Sequence, residues 1–504
     1  MGTYHSTRSR QQAVSARAAV RTGLAPDGGL FVSDELGSTK LDVATLAEKS
    51  YRELAVEVMG LLLPDYTSDE IAACVDEAYG DTFDADEITP VVPLAPRTGE
   101  APDTPSYVLE LFHGPTSAFK DVALQMLPRL MARTADEGAA GERIMIVTAT
   151  SGDTGKAALA GFADAPGCAI TVFYPEGKVS RVQELQMSAQ EGSNVAVCGV
   201  RGNFDDAQSA VKLIFSDRAL AERLGARGTV LSSANSINVG RLVPQVVYYF
   251  AAYAQLLRSG VITAGDAVEF CVPTGNFGDI LAGYYARELG LPVARLLVAS
   301  DKNNVLFDFL KTGTYDRRRP FYTTTSPSMD ILISSNLERM LYHLSGGDCE
   351  LVAGLMASLA ETGSYTVPSA LIERIRGVFD GGWADEDEVS AAIRDCWERY
   401  GYVIDPHTAC GYHVLDALEP APDARARVLL STASPYKFPR AVASALGLEV
   451  PDDDFACMDT LAEATGTQAP RQLAELASKP VRFTDVAEID ELGAYVEQAA
   501  ERFA

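Results

Sequence analysis

Lys120 is the residue on which chemistry can be built. It lies in residues 111–125, LFHGPTSAFKDVALQ. His113-Gly114-Pro115-Thr116 reads as a turn, because glycine frees the backbone while proline fixes φ and removes a donor. Thr116 or Ser117 is then expected to cap a helix. Phe119, Val122, Ala123, Met126, Leu127 and Leu130 recur at helical spacing and give that helix an apolar face. A lysine in the first turn carries its charge at the positive end of the helix dipole. Partial burial disfavours the ammonium form as well. A neutral amine in such a place can form a Schiff base with an aldehyde. Most lysines are solvated surface charges, so this stretch taken alone argues only modestly for catalysis.

Polar loops that follow strands add weight. Residues 148–158, TATSGDTGKAA, end a strand and open a helix. Ser151, Gly152, Asp153, Thr154 and Gly155 offer hydroxyls and closely packed amides, which can hold a carboxylate or phosphate. An ordinary strand–turn–helix connection is the competing reading. Residues 272–283, VPTGNFGDILAG, repeat the arrangement. Gly275, Asn276, Phe277, Gly278 and Asp279 can wrap a small dianion at a helix N-terminus. Their spacing does not fit G-x-G-x-x-G, which argues against a dinucleotide site. Residues 429–439, LLSTASPYKFP, end a strand at Ser431-Thr432, where a hydroxyl can donate to a neutral aromatic nitrogen or where the strand simply stops. Residues 232–245 place Asn235, Ser236, Asn238 and Arg241 in one polar turn before a long helix. Helix capping by Ser236 or Asn235 competes there with recognition of an anion or amide.

The elements that must position these loops alternate. Strands are predicted at 144–150, 169–174, 194–200, 229–232, 268–273, 295–299 and 427–433. Helices are predicted at 155–163, 180–191, 204–224, 238–259 and 279–289. Apolar strands alternating with amphipathic helices imply βαβ units and mostly parallel sheet. The strands are too many for one small sheet, so two α/β lobes with a cleft between them are expected. Residues 1–100 read as a small domain, with a Pro-Asp-Gly-Gly turn leading into a short strand. Residues 90–106 read as a proline-rich linker, and 337–395 as mostly helical. The tail after Val450 reads as helices packed on the outside.

The chain of 504 residues is 47% hydrophobic and 22% charged, the profile of a folded protein with ample core. Its formal net charge of −27 opposes binding to nucleic acid or to an anionic membrane surface. No apolar run reaches the length of a membrane span. None of the eight cysteines forms a C-x-x-C pair and the five histidines lack ligand spacing, so no metal site is expected. Reduced, buried thiols in a cytoplasmic protein are the reading.

Taken together these stretches resemble the threonine synthases, in the longer branch with an N-terminal domain found in bacteria and fungi. The resemblance includes Tyr4-His5-Ser6-Thr7-Arg8, GLAPDGGLFV, HGPTSAFKD, ATSGDTG, PEGKVSRVQELQM, NSIN, GNFGD, SPSMDILISSNLERML and DPHTACGY. It implies an α/β enzyme of fold type II, the tryptophan-synthase β-like group, with pyridoxal 5'-phosphate as cofactor. The implied layout is an N-terminal domain over 1–100, a catalytic region of two lobes over 101–450 and a C-terminal helical extension over 451–504. Lys120 matches the lysine that forms the Schiff base with the cofactor. Gly275, Asn276, Phe277, Gly278 and Asp279 match the loop that holds the cofactor phosphate, and Thr432 the hydroxyl at the pyridine nitrogen. Ser151, Gly152, Asp153 and Thr154 match the loop that grips the substrate carboxylate. Asn238 and Arg241 are candidates for the substrate's distal phosphate.

The implied reaction turns O-phospho-L-homoserine and water into L-threonine and phosphate, in a monomer or homodimer. A serine/threonine dehydratase, a phospho-amino-acid lyase or a silent binding protein of the same fold are the alternatives. One position departs from the pattern. Related sequences read A-H-P after the threonine, and this chain has Ala433-Ser434-Pro435.

Overall fold

A computed structural model describes residues 3–100, 102–139, 141–150 and 152–503. Two parallel sheets organise the chain. The larger has six strands, in the order Phe379–Trp383, Val293–Ser300, Ala267–Pro273, Ala424–Ser431, Ser106–Glu110, Val91–Pro93. Neighbours run parallel except for the last pair. The smaller has five, in the order Val486–Ala487, Val195–Val200, Cys168–Pro175, Arg143–Ala149, Thr229–Ser232, all parallel. Each sheet with its helices is one lobe, as the alternating pattern predicts. Strands such as Cys168–Pro175 are buried along their whole length, which is why they read as continuous apolar runs and not as alternation.

The helix Val239–Arg258 runs through the shared core. Asn238 caps it, and most of its residues are buried on all sides. The same apolar cluster joins Val20, Leu54, Val58 and Ile71 to Leu127, Val243 and Val246, so the first hundred residues pack directly on this helix and on Lys120–Ala132. The N-terminal turn leads into the strand Phe31–Ser33, part of a small antiparallel sheet.

Three local expectations change. The stretch 204–224 is two helices, Phe204–Ser216 and Arg218–Gly225, because Asp217 leaves helical geometry and caps the second through the Leu220 amide. Val91–Pro93 pairs antiparallel with Ser106–Glu110, so part of the proline-rich linker is an edge strand. Among the helices of 337–395 lies Phe379–Trp383, the far edge of the larger sheet. Its glycines hid it from pattern reading, and a Cβ at Gly381 would lie 2.3 Å from the Val298 carbonyl oxygen. The tail carries the helices Asp454–Thr465 and Leu492–Arg502, together with the strand Val486–Ala487. No helix among the described residues is long and apolar enough to cross a membrane.

Candidate active site around Lys120

The helix Lys120–Ala132 begins at the lysine itself, and neither Thr116 nor Ser117 caps it. Asp121 does that work from inside the helix. Its carboxylate accepts from the Thr116 amide at 2.8 Å, the Thr116 hydroxyl at 2.6 Å and the Ala118 amide at 3.4 Å. A carboxylate is a stronger acceptor than a hydroxyl, which is why it takes the amides of the approach. The loop is also tied to the end of the larger sheet. Phe119 donates its amide to the Thr432 carbonyl at 2.9 Å, and Ser434 donates to the Ser117 carbonyl at 3.1 Å.

Lys120 is 8% exposed. Its Nζ donates to Ser328 Oγ at 2.9 Å and lies 4.0 Å from Asp153 Oδ2. Burial pushes its pKa down to about 8; Lys437 and Arg241 act in the same direction, against the pull of Asp153. Ser328 Oγ in turn donates to Asp153 Oδ2 at 3.0 Å. The Ser328 amide donates to His407 Nε2 at 3.2 Å, which leaves the ring proton on Nδ1, where it is donated to Asp405 Oδ2 at 2.6 Å.

The Asp153 side chain is itself an anion of the site, so any carboxylate held by this loop must be held by its backbone. Oδ1 lies 2.7 Å from Lys156 Nζ and 2.9 Å from Lys437 Nζ, and accepts from Gln183 Nε2 at 3.3 Å. Burial would raise the Asp153 pKa, but Lys156, Lys437 and Lys120 hold it well below the carboxylate range. Burial drives Lys156 well below the lysine range, with Asp153 opposing. Lys156 and Lys437 are almost fully buried, and neither ammonium is aligned for a hydrogen bond to another described residue. One carboxylate is thus shared by three lysines. Gly152, with φ of 149°, makes room for Gln183, since a Cβ there would lie 2.4 Å from Gln183 Nε2. The Gly152 and Gly155 amides both donate to Thr150 Oγ1 at 3.0 Å. Thr154 is half-buried in the first turn of the helix Asp153–Phe162. Ser151 lies outside the described residues.

The turn after Ala267–Pro273 is different. Phe277 adopts φ of 60°, and the helix Gly278–Glu288 starts directly after it without a side-chain cap. Among the described residues, no acceptor takes the amides of residues 275–280. The segment 334–336 holds the turn from behind. Ser334 Oγ donates to the Gly275 carbonyl at 2.7 Å, and the Asn336 amide donates to the Asn276 carbonyl at 3.0 Å. Arg339, fully buried, fixes that segment to the N-terminal sheet by donating to the Phe31 carbonyl at 2.9 Å. The Asp279 carboxyl faces the long helix, where the Tyr249 hydroxyl donates to Oδ1 at 3.0 Å and Tyr248 donates as well. Burial raises its pKa to about 7. The side chain of Asp279 therefore braces the loop, and the free amides face elsewhere. A Cβ on Gly275 would lie 3.0 Å from the carbonyl oxygen of Ser328. Ser328 thus connects this turn to Lys120.

Thr432 is buried, and its hydroxyl makes no hydrogen bond with another described residue. Ser434 Oγ accepts from the Tyr436 amide at 3.3 Å and caps the short turn Pro435–Lys437 that presents Lys437. Arg241 is buried, donates one Nη to the Ala234 carbonyl at 2.9 Å and keeps an unpaired Nε. Burial pushes its pKa down to about 10. Asn238 is committed within the protein. Its amide nitrogen donates to the Val20 and Ser233 carbonyls at 2.9 and 3.3 Å, and its oxygen accepts from Gly240 at 2.8 Å. The group is a helix cap, and both of its N–H donors are taken.

Three family models match consecutive parts of the chain. "Threonine synthase N terminus" covers residues 3–79, "Pyridoxal-phosphate dependent enzyme" 83–432 and "Threonine synthase, C-terminal" 408–496. The chain belongs to the threonine synthase family. Threonine synthase of Pseudomonas aeruginosa is 38% identical over 88% of this chain and 90% of its own length. Human threonine synthase-like 1 is 39% identical over 87% of this chain, which spans only 59% of that longer protein. The crystal structure of PLP-bound threonine synthase from Brucella melitensis matches with a TM-score of 0.85, 38% identity and 99% coverage of both chains.

Pyridoxal phosphate is the cofactor of this family, and the residues present fit it. The buried amine of Lys120 suits its aldehyde, the unpaired amides of residues 275–280 suit its phosphate, and the uncommitted Thr432 hydroxyl suits its ring nitrogen. Lys156, Lys437, Ser328, Gln183 and His407 belong to the site yet carry no signal of their own in sequence. Gln183, Ser328 and His407 lie inside stretches that carry the family resemblance, and Lys156 and Lys437 inside the polar loops 148–158 and 429–439, which are the clues that could have found them.

Proposed function

We propose that this chain makes L-threonine and phosphate from O-phospho-L-homoserine and water. The observation that carries the proposal is Lys120, a buried amine with its pKa pushed down to about 8, linked through Ser328 to the glycine turn with unpaired amides. Lys120 would hold the cofactor, the amides of residues 275–280 its phosphate and the Thr432 hydroxyl its ring nitrogen. When bound, the cofactor supplies the electron sink for carbanion chemistry at the substrate's Cα and Cβ.

The chain's own groups do the rest. With the cofactor bound, Lys120 would serve as the base at Cα, and a pKa near 8 keeps a useful fraction of the amine unprotonated at neutral pH. Ser328 stands between Lys120 and Asp153 and orients the amine, while His407 and Asp405 fix Ser328. The Asp153 and Thr154 amides at the start of the helix Asp153–Phe162, which unlike those of Gly152 and Gly155 are not taken by Thr150, receive the substrate carboxylate, together with Ser151. Lys437 and Arg241 supply the positive field for the departing phosphate, with Arg241 keeping an Nε free of any partner among the described residues. The eight free cysteines, seven of them buried, agree with a cytoplasmic setting.

Incubating pure holoenzyme with O-phospho-L-homoserine tests the reading. Threonine and phosphate should appear in equal amounts. Formation of 2-oxobutyrate would identify a dehydratase instead, and no product despite a visible cofactor band would reject the activity.

A further inference from the structure

Ser117 stands three residues before Lys120, is fully buried and holds φ of 55°. A non-glycine residue in that left-handed region is disfavoured, and persists where its surroundings over-determine it. Three groups do so here. The Ser117 amide donates to the Gly114 carbonyl at 3.0 Å, and the Ser434 amide donates to the Ser117 carbonyl at 3.1 Å. The third is Gln472, whose Nε2 donates to the Gly114 carbonyl at 3.0 Å and to Ser117 Oγ at 3.1 Å. Gln472 therefore closes the turn from outside, across its mouth.

Gln472 belongs to neither sheet. It lies on a segment that crosses from one lobe to the other. Upstream, the helix Asp454–Thr465 packs on Pro439–Ala445, and Thr467 shares a 2.8 Å hydrogen bond with the Tyr436 hydroxyl. Leu473 and Leu476 pin the crossing itself, packed in one cluster with Val182 and Leu185 of the smaller lobe and Val442 of the larger. Downstream, Arg482 and Phe483 donate their amides to the Ser188 carbonyl at 2.8 and 3.0 Å. Val486–Ala487 then joins the smaller sheet beside Val195–Val200. The C-terminal segment is thus a strap anchored on both lobes, and Gln472 is the point at which it grips the lysine loop.

We propose that Gln472 is a positioning residue for Lys120, and that the strap holds the lysine loop in its strained, competent shape by means of this one side chain. The bidentate bond fixes both ends of the Gly114–Ser117 turn, which sets where the helix Lys120–Ala132 starts and where its first side chain points. The proposal takes Lys120 as the cofactor lysine but is independent of the substrate.

The test uses full-length Gln472→Ala. Hydrogen exchange of the 114–119 amides is read in the cofactor-free protein, and kcat, KM and the cofactor absorbance band in the holoenzyme. Exchange should rise and kcat should fall, each by about tenfold, with KM changed less than about twofold and Tm by less than about 2 °C. Exchange and kcat both within about twofold of the parent chain would overturn the proposal. Gln472→Glu keeps the shape and guards against a folding defect. Its ionised carboxylate cannot donate to the Gly114 carbonyl, but its protonated form can. Its activity relative to the parent should recover as pH falls from about 7 to about 4, through the range where glutamate takes up its proton, and a ratio that is flat over that range overturns the assignment. If the parent makes no threonine, exchange and the cofactor band still decide the role of Gln472.

Discussion

The two glycine-rich turns after strands, residues 150–155 and 273–279, look alike in sequence and are organised in opposite ways. In the first, the Gly152 and Gly155 amides are taken by Thr150, and the acidic residue turns inward to three lysines. In the second, the acidic residue turns away to two tyrosines, and the amides of residues 275–280 have no partner among the described residues. A glycine turn at a helix N-terminus is therefore only an opportunity for an anion. Where the neighbouring carboxylate points decides whether the turn becomes an amide cradle or the seat of a charge cluster.

That contrast can be broken by substitution. The largest effect belongs to Asp153→Asn, which leaves Lys437 buried without its counter-charge and Lys156 without its nearest carboxylate. Removing one partner of a buried ion pair costs about 3–5 kcal/mol. Urea unfolding at pH 7 should show a loss of that size, and a loss below about 1 kcal/mol would mean that the lysines do not depend on Asp153.

The next effect is a pH dependence from Asp279, whose pKa burial raises from 3.8 to about 7. At pH below 3.8 its carboxyl is protonated in the folded and unfolded chain alike. Above that the unfolded carboxyl ionises while the folded one keeps its proton, so its contribution to stability is lost as pH rises through about 7. Asp279→Asn should flatten the fall in stability between pH 4 and pH 8 by about 2–4 kcal/mol. An unchanged slope in the cofactor-free protein would show that Asp279 ionises normally in the fold.

The smallest effect sharpens the comparison most. Gly275→Ala places a methyl 3.0 Å from the Ser328 carbonyl oxygen, inside the cradle, and so should weaken pyridoxal phosphate binding by about tenfold. Absorbance titration of the cofactor-free protein reads this directly. Affinity equal to the parent would move the phosphate site to another turn.

Much of the architecture is legible in the chain. Strands such as Thr229–Ser232 and helices such as Val239–Arg258 fall where alternation and periodicity put them. The places that mislead are local contests. Asp217 could continue a helix or cap one, and it caps. The strand Phe379–Trp383 carries two glycines, which conceal a strand in any pattern of apolar residues. In the site, Asn235 and Ser236 were possible helix caps, yet Asn238 is the residue that caps. Choosing between those amides needs the Val20 carbonyl, which reaches the cap from a distant helix.

By itself, the sequence determined the lysine at a helix start, the glycine turns at strand ends and the lobes that hold them, because hydrogen bonding along the chain and the burial of one face are local matters. Only the tertiary structure decided that Asp153 serves three lysines, that Ser328 links Lys120 to Gly275 and that Gln472 reaches the Gly114–Ser117 turn. Each of those depends on groups far apart in the chain being buried together. The sign and strength of such contacts follow from how much water is excluded between them, which no spacing along the chain records.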